Sequence, residues 1–279
     1  MFLIHTNIPY AMLLDRIDFV VENRIHPEIY FSGQDLDDYH EKDVKTLAGT
    51  LRHNGLEVSF HGPFMDLSPG GADQRVKKIT SDRFLETMEL ARFFRPKTIV
   101  FHPAYDKRTF DGNVKVWLES SLETWGPLVK KAEKMGLNLV VENIFEENPD
   151  SIKNLLEKIN SAHFRFCFDT GHHHLFSRVS VGVWVKTLGR FMIEVHLHDN
   201  HGEMDEHLPP GEGGFKFGQF FSLLSRFDLN PICTIEPHEE AHLSRSLERV
   251  KKYAGKNKFP ESTPLPGGKR VRGEKRRRR

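Results

Sequence analysis

The stretch "LNLVVENI", Leu137–Ile144, decides the fold. It is a short apolar run rich in valine. It is entered from a helical pattern that stops at Met135-Gly136, and it closes on a carboxylate, Glu142, rather than on a turn residue. A glycine just past the last periodic residue is a helix stop signal. Working outward, the same unit recurs. Strands are expected at 2–8, 28–31, 57–64, 98–104, 137–144, 164–171, 192–199 and 231–237. Helical patterns fall between them, among them 37–54, 74–95, 113–135 and 240–254, and two more stop signals stand at Asn54-Gly55 and Arg95-Pro96. Strand and helix alternating about eight times predict a parallel sheet closed into a (β/α)8 TIM barrel, a single α/β domain over residues 1–258. A doubly wound open sheet is the alternative, but no G-x-G-x-x-G follows the first strand.

Composition sets bounds on this reading. The 279 residues suit one large domain, and 22 Phe among 38% hydrophobic residues supply a sizeable core. Net charge is +1, yet residues 268–279 alone carry eight Lys or Arg and one Glu, leaving a body of 32 basic and 38 acidic residues. The segment "PESTPLPGGKRVRGEKRRRR" has no apolar periodicity, so residues 259–279 read as a disordered basic tail, a possible contact for nucleic acid but more simply a solvated one. Cys167 and Cys233 sit inside apolar runs and read as reduced core residues of a cytoplasmic protein. Neither a signal peptide nor a membrane span is expected.

Six of the eight strand candidates end in His, Asp or Glu. His61 ends the third and His102 the fourth; Glu142 ends the fifth. Asp169, with His172 three residues on, ends the sixth. His196 ends the seventh, with Asp205 and His207 in the loop that follows, and Glu236 ends the eighth. Each alone has a bland reading: a hydrogen-bonded strand-end histidine, a helix cap at Asp169, a salt-bridge partner at Glu142, a polar loop at Asp205. In a (β/α)8 barrel, however, all these ends meet on one face. Carboxylates brought together away from water are costly without a cation, so the pattern points to a divalent metal, Zn2+ or Mn2+ (with Fe2+ also compatible), as one to three ions. His173, His174, His198 and His201 lack that positional warrant and read as outer or solvent-facing groups. "GEGG" (211–214) predicts a tight turn near a substrate anion.

The motifs "FHGPFMDL", "VFHPAYD", "VVENIFEENPD", "FDTGHHHLF", "VHLHDNHGEMDEHLPPGEG" and "TIEP" resemble, in order, those of the xylose isomerase-like TIM-barrel superfamily. That group holds sugar and sugar phosphate isomerases and epimerases, and also the endonuclease IV phosphodiesterases. The isomerase and epimerase pattern implies one metal held by Glu142, Asp169, His196 and Glu236, with Glu142 and Glu236 moving the proton and His172 touching a sugar or sugar-phosphate substrate. The endonuclease IV pattern implies three zinc ions: His61, His102 and Glu142 around one, Glu142, Asp169, His196 and Glu236 around the second, and His172, Asp205 and His207 around the third. The first resemblance is preferred, because the acidic body offers no DNA-matched basic surface.

Overall fold

The computed structural model describes residues 2–256; the basic tail expected at 259–279 lies outside the described residues. Eight parallel strands close into a barrel in sequence order: β1 (Ile4–Pro9), β2 (His26–Tyr30), β3 (Ser59–His61), β4 (Ile99–Phe101), β5 (Leu139–Glu142), β6 (Phe164–Asp169), β7 (Met192–Leu197) and β8 (Ile232–Ile235). The ring is completed where His5 of β1 pairs with Thr234 of β8. All eight expected strands are present. β3 and β4 are shorter than expected because Gly62-Pro63 and Pro103 follow them; a proline has no N–H for the ladder.

The helices between them are α1 (Tyr10–Asp15), α2 (Ile17–Glu22), α3 (Gly33–Asp38), α4 (Glu41–His53), α5 (Gln74–Phe94), α6 (Val114–Met135), α7 (Asp150–Ile159), α8 (Thr170–Phe176), α9 (Val181–Leu188), α10 (Phe217–Arg226) and α11 (Glu240–Lys256). The pattern read as one helix over 37–54 is two. A capping box at Ser32 and Asp35 starts α3 early, and Tyr39 turns extended (ψ 143°) before α4 begins. α6 stops at Gly136 in the left-handed conformation, as its position in the sequence predicts.

The apolar core lies outside the barrel wall. Trp117, Trp125, Trp184, Phe166, Phe168 and Phe220 are buried between strands and helices. The barrel interior is different. It holds a small apolar cluster of Val100, Val140 and Cys167, while its other buried side chains include His5, Glu28, Ser59, Glu194 and Thr234. His196 of β7 approaches Glu28 of β2 to 3.4 Å, and those strands are not neighbours, so the contact runs through the interior. Barrel interiors are usually filled by branched aliphatic layers, so a polar floor here calls for a reason.

Candidate metal centre and active site

The residues expected at the strand ends meet at one mouth. His61, Glu142 and Asp169 are the last residues of β3, β5 and β6, and His196 is the penultimate residue of β7. His102 and Glu236 stand one residue beyond β4 and β8. Asp169 does double duty: its carboxylate caps α8 by accepting from the His172 N–H at 2.6 Å, and that capped turn swings the His172 ring back over the mouth. Asp205 and His207 reach in from the loop between β7 and α10.

Glu142 is the hub. Its Oε2 lies 3.3 Å from His61 Nε2, 3.5 Å from His102 Nε2 and 3.3 Å from His196 Nδ1, and its Oε1 lies 3.1 Å from His172 Nδ1. Glu236 Oε1 approaches the same His196 Nδ1 to 3.2 Å. On the far side, Asp205 Oδ2 lies 3.3 Å from His172 Nε2 and 3.1 Å from His207 Nε2. His207 is held at positive φ (50°), a strained setting for a residue with a Cβ; Asp66 and Ala104, also at positive φ, line the same cavity. The cavity measures about 800 Å3. A second cavity of about 480 Å3, beside the start of α5 and α6, is lined without His, Cys or Glu.

The two glutamates at the centre are driven apart. Burial opposes ionisation of Glu142, but His196, His102 and His172 around it hold its carboxyl well below the ordinary range. Burial pushes Glu236 the other way, above the ordinary range: with Glu142 and Asp169 adding to it, it overcomes the opposing pull of His196 and His207. His172 and His196 are each raised well above 6.5 against their burial, His172 chiefly by Asp169 and Asp205, His196 by charges that include Glu236 and Glu142. Burial holds His102 down at about 4.

Several members of the site were not expected from the sequence. Of the two readings offered for His198, the outer group holds and the solvent-facing one does not: its Nε2 lies 2.8 Å from Asp169 Oδ2 and its ring stacks on His207 at 3.8 Å. The spacing Glu194-x-His196-x-His198 was the available signal, since alternate residues of a strand share a face. The His198 ring comes so close to Gly171 that a Cβ there would sit 2.1 Å from it, so that position has room only for glycine. His238 stacks on the other face of His207 at 3.6 Å. Below the mouth, Glu28 accepts from Asn7 Nδ2 at 2.8 Å and faces His196 Nε2. His173 packs instead against Trp184 and Phe215, and His201 pairs with Glu206 at the surface.

The glycine loop takes a different role from the one expected. The Gly211 and Gly213 N–H groups donate to Asp199 Oδ2 at 2.9 and 2.8 Å, and Asn200 and Phe215 donate to its Oδ1. The anion gripped by these N–H groups is the protein's own carboxylate, and it pins the loop that carries Asp205 and His207.

The donor set matches the chemistry of a divalent cation. Ligand atoms of His61, His102 and Glu142 lie within 4.8 Å of one another, as do those of His61, His196 and Glu236, of Asp169, His172 and His198, and of His198, Asp205 and His207. Both ring nitrogens of His196 are fully buried without a directed hydrogen bond, although carboxylate oxygens surround them. Buried polar atoms are seldom left so, and an unmet ligand is one reason when they are.

One comparison gives the family and the others a likeness in sequence or fold. A family model described as xylose isomerase-like TIM barrel matches residues 26–253. An uncharacterized protein of Methanocaldococcus jannaschii is 28% identical over 219 residues, 76% of this chain and 75% of its own. The crystal structure of a D-tagatose 3-epimerase-like protein superimposes with a TM-score of 0.80 at 25% identity, covering 92% of this chain and 98% of that one. A protein of Thermus thermophilus, soaked with ZnCl2, superimposes with a TM-score of 0.77 at 24% identity, covering 91% and 98%.

Proposed function

Because the chain belongs to the xylose isomerase-like TIM-barrel family, we propose that it is a sugar isomerase or epimerase, dependent on one divalent metal, in which Glu142 and Glu236 carry the proton. The observation that carries this reading is the opposed pair of carboxylates: both reach the same His196 nitrogen, one held ionised and the other held toward its neutral form. Titratable pairs driven apart by their surroundings are how acid and base roles are assigned in one site. The likeness to a D-tagatose 3-epimerase-like protein supports the same class.

Glu142, Asp169, His196 and Glu236 would hold the cation. Bound there, it supplies Lewis acidity, polarising a carbonyl oxygen and so acidifying the neighbouring C–H. Glu142, ionised, accepts the proton from that carbon. Glu236 delivers a proton to the carbon from its own side, which inverts the centre or, at the adjacent carbon, moves the carbonyl. His172 stands 3.3 Å from Asp205 and orients a substrate hydroxyl. Glu28 and Asn7 fix the ring of His196 from below, and a carboxylate behind a histidine ligand sets its tautomer and raises its basicity.

The test is solvent-deuterium exchange followed by NMR on a panel of ketoses and keto-sugars. The expected result is incorporation at the carbon next to the carbonyl, lost in Glu236→Gln. Exchange that survives undiminished in that variant removes Glu236 from the mechanism.

A second reading draws on one specific feature. His61, His102, His172, Asp205 and His207 add donors beyond the four, and all nine residues named by the endonuclease IV resemblance face one mouth. Three zinc ions there would serve phosphodiester hydrolysis. Metal count separates the two, and cleavage of an abasic-site oligonucleotide that fails in His61→Ala would favour the second.

A further inference from the structure

The mouth is not uniform. From β3 round to β8 its wall carries the imidazoles and carboxylates, with Phe64, Met65, Phe145 and Phe176 on its rim. The sector after β1 and before β2 is apolar: Ile8, Met12, Phe19 and Ile25 line it, joined by Leu243 of α11. Met12 and Phe19 are 51% and 41% exposed. They are not a flat patch on the outside. They form the inner wall of the same cavity of about 800 Å3 that contains Glu142 and Glu236, a volume in the upper part of the roughly 300–1,000 Å3 range of small-molecule pockets.

The charges point the same way. Among the described residues lining the cavity the one Lys or Arg is Arg16, and it is paired with Glu240 at 3.3 Å on the rim. Against it stand Asp66, Glu142, Asp205, Glu236 and Glu240. A phosphate group is ordinarily met by an arginine fork, a lysine or a helix N-terminus. The glycine loop that offered such N–H groups has spent them on Asp199.

We infer that the cavity takes an unphosphorylated sugar bearing an apolar substituent, aryl or short alkyl, which lies on the Met12–Phe19 wall while the ring faces Glu142 and Glu236. This rests on the isomerase or epimerase reading for the placement of the ring, but the apolar subsite is tested by binding alone, without turnover.

The experiment is calorimetric titration of the full, metal-loaded chain with matched pairs of phenyl and methyl glycosides of gluco, galacto and manno configuration, and with the corresponding 6-phosphates. Phenyl members of at least one pair are expected to bind about tenfold tighter or more, from the apolar area removed from water, and the 6-phosphates more weakly than the parent sugars. In Met12→Ala/Phe19→Ala the phenyl advantage is expected to vanish while metal content stays the same. No phenyl preference in any pair, including no binding at all, overturns the inference, as does tighter binding of the phosphates. If the double substitution abolishes self-association and no phenyl preference exists, the wall belongs to a second copy of the chain. Failure of the proton-transfer reading shows separately, as absent deuterium exchange with phenyl preference intact.

Discussion

The barrel interior has two polar layers, and they are built on opposite logic. The mouth layer gathers Glu142, Asp169, Glu236 and the imidazoles around them beside a cavity open to ligand. The floor layer, one step deeper, buries Glu28 and Glu194 with His5, Ser59 and Thr234, none of which lines the cavity. In the mouth, opposite charges are left imperfectly paired. In the floor, they are settled by proton count: burial and the neighbouring Glu28 push Glu194 up to about 8, while His196, His61 and Asn7 overcome burial and hold Glu28 down at about 2. Burial, helped by His26 and Lys97 and opposed by Glu28, takes His5 down to about 3. The difference separates groups kept available for exchange from groups kept fixed so that others are held in place.

The largest effect falls in the mouth. Glu142→Gln removes both the base and the hub of the donor set, so it is expected to lose about 10²–10⁴-fold in turnover and its metal together. Glu236→Gln is expected to lose turnover on the same scale while still binding metal more weakly. Steady-state rates and metal analysis on the two variants check this; equal metal loss in both would erase the asymmetry drawn between them.

Glu28→Gln reaches the mouth only through His196. Metal affinity is expected to fall about 10–100-fold, as for other partners behind metal ligands, with the pH dependence of binding moved because the His196 ring is less basic. Titration with a competing chelator reads it. An unchanged affinity would make the floor a structural layer with no hold on the mouth.

Gly171→Ala forces a methyl onto the His198 ring and is expected to cost about 1–3 kcal/mol in stability, the usual penalty of overpacking. Thermal melts measure it, and Gly218→Ala, where nothing lies within 4 Å, is the control expected to show no loss.

The last effect depends on pH. With its folded value raised from 4.5 to about 8, Glu194 holds its proton more tightly in the folded chain than in the unfolded one. Its favourable contribution is therefore full below about pH 4.5 and is lost as pH rises through about 8. Gln at this position has no proton to lose. The melting temperature of Glu194→Gln relative to the parent, both without metal, is expected to climb between those limits and level off above them; a flat difference would mean that the floor is not proton-settled.

The mouth layer was legible because its residues share a position in a repeated unit. Glu142, Asp169, His196 and Glu236 each follow an apolar run, and repetition carried information that no single motif did. The floor layer was not, because Glu28 opens the run expected as the second strand and Glu194 stands early in the seventh, where a charged residue reads equally well as the end of a loop. His198 was hidden by the end of β7: the alternation that turns it inward continues past the last paired residue. The glycine loop misled because N–H groups that cradle an anion look the same in sequence whether the anion is a ligand or, as here, Asp199.

The most direct test of the central claim, one divalent cation held in the mouth for proton transfer, is elemental mass spectrometry on protein purified without chelator. One zinc, manganese or similar ion per chain, absent from Glu142→Gln, is the predicted result. No metal would contradict the centre itself, and three zinc ions per chain would contradict the proton-transfer account in favour of phosphodiester hydrolysis.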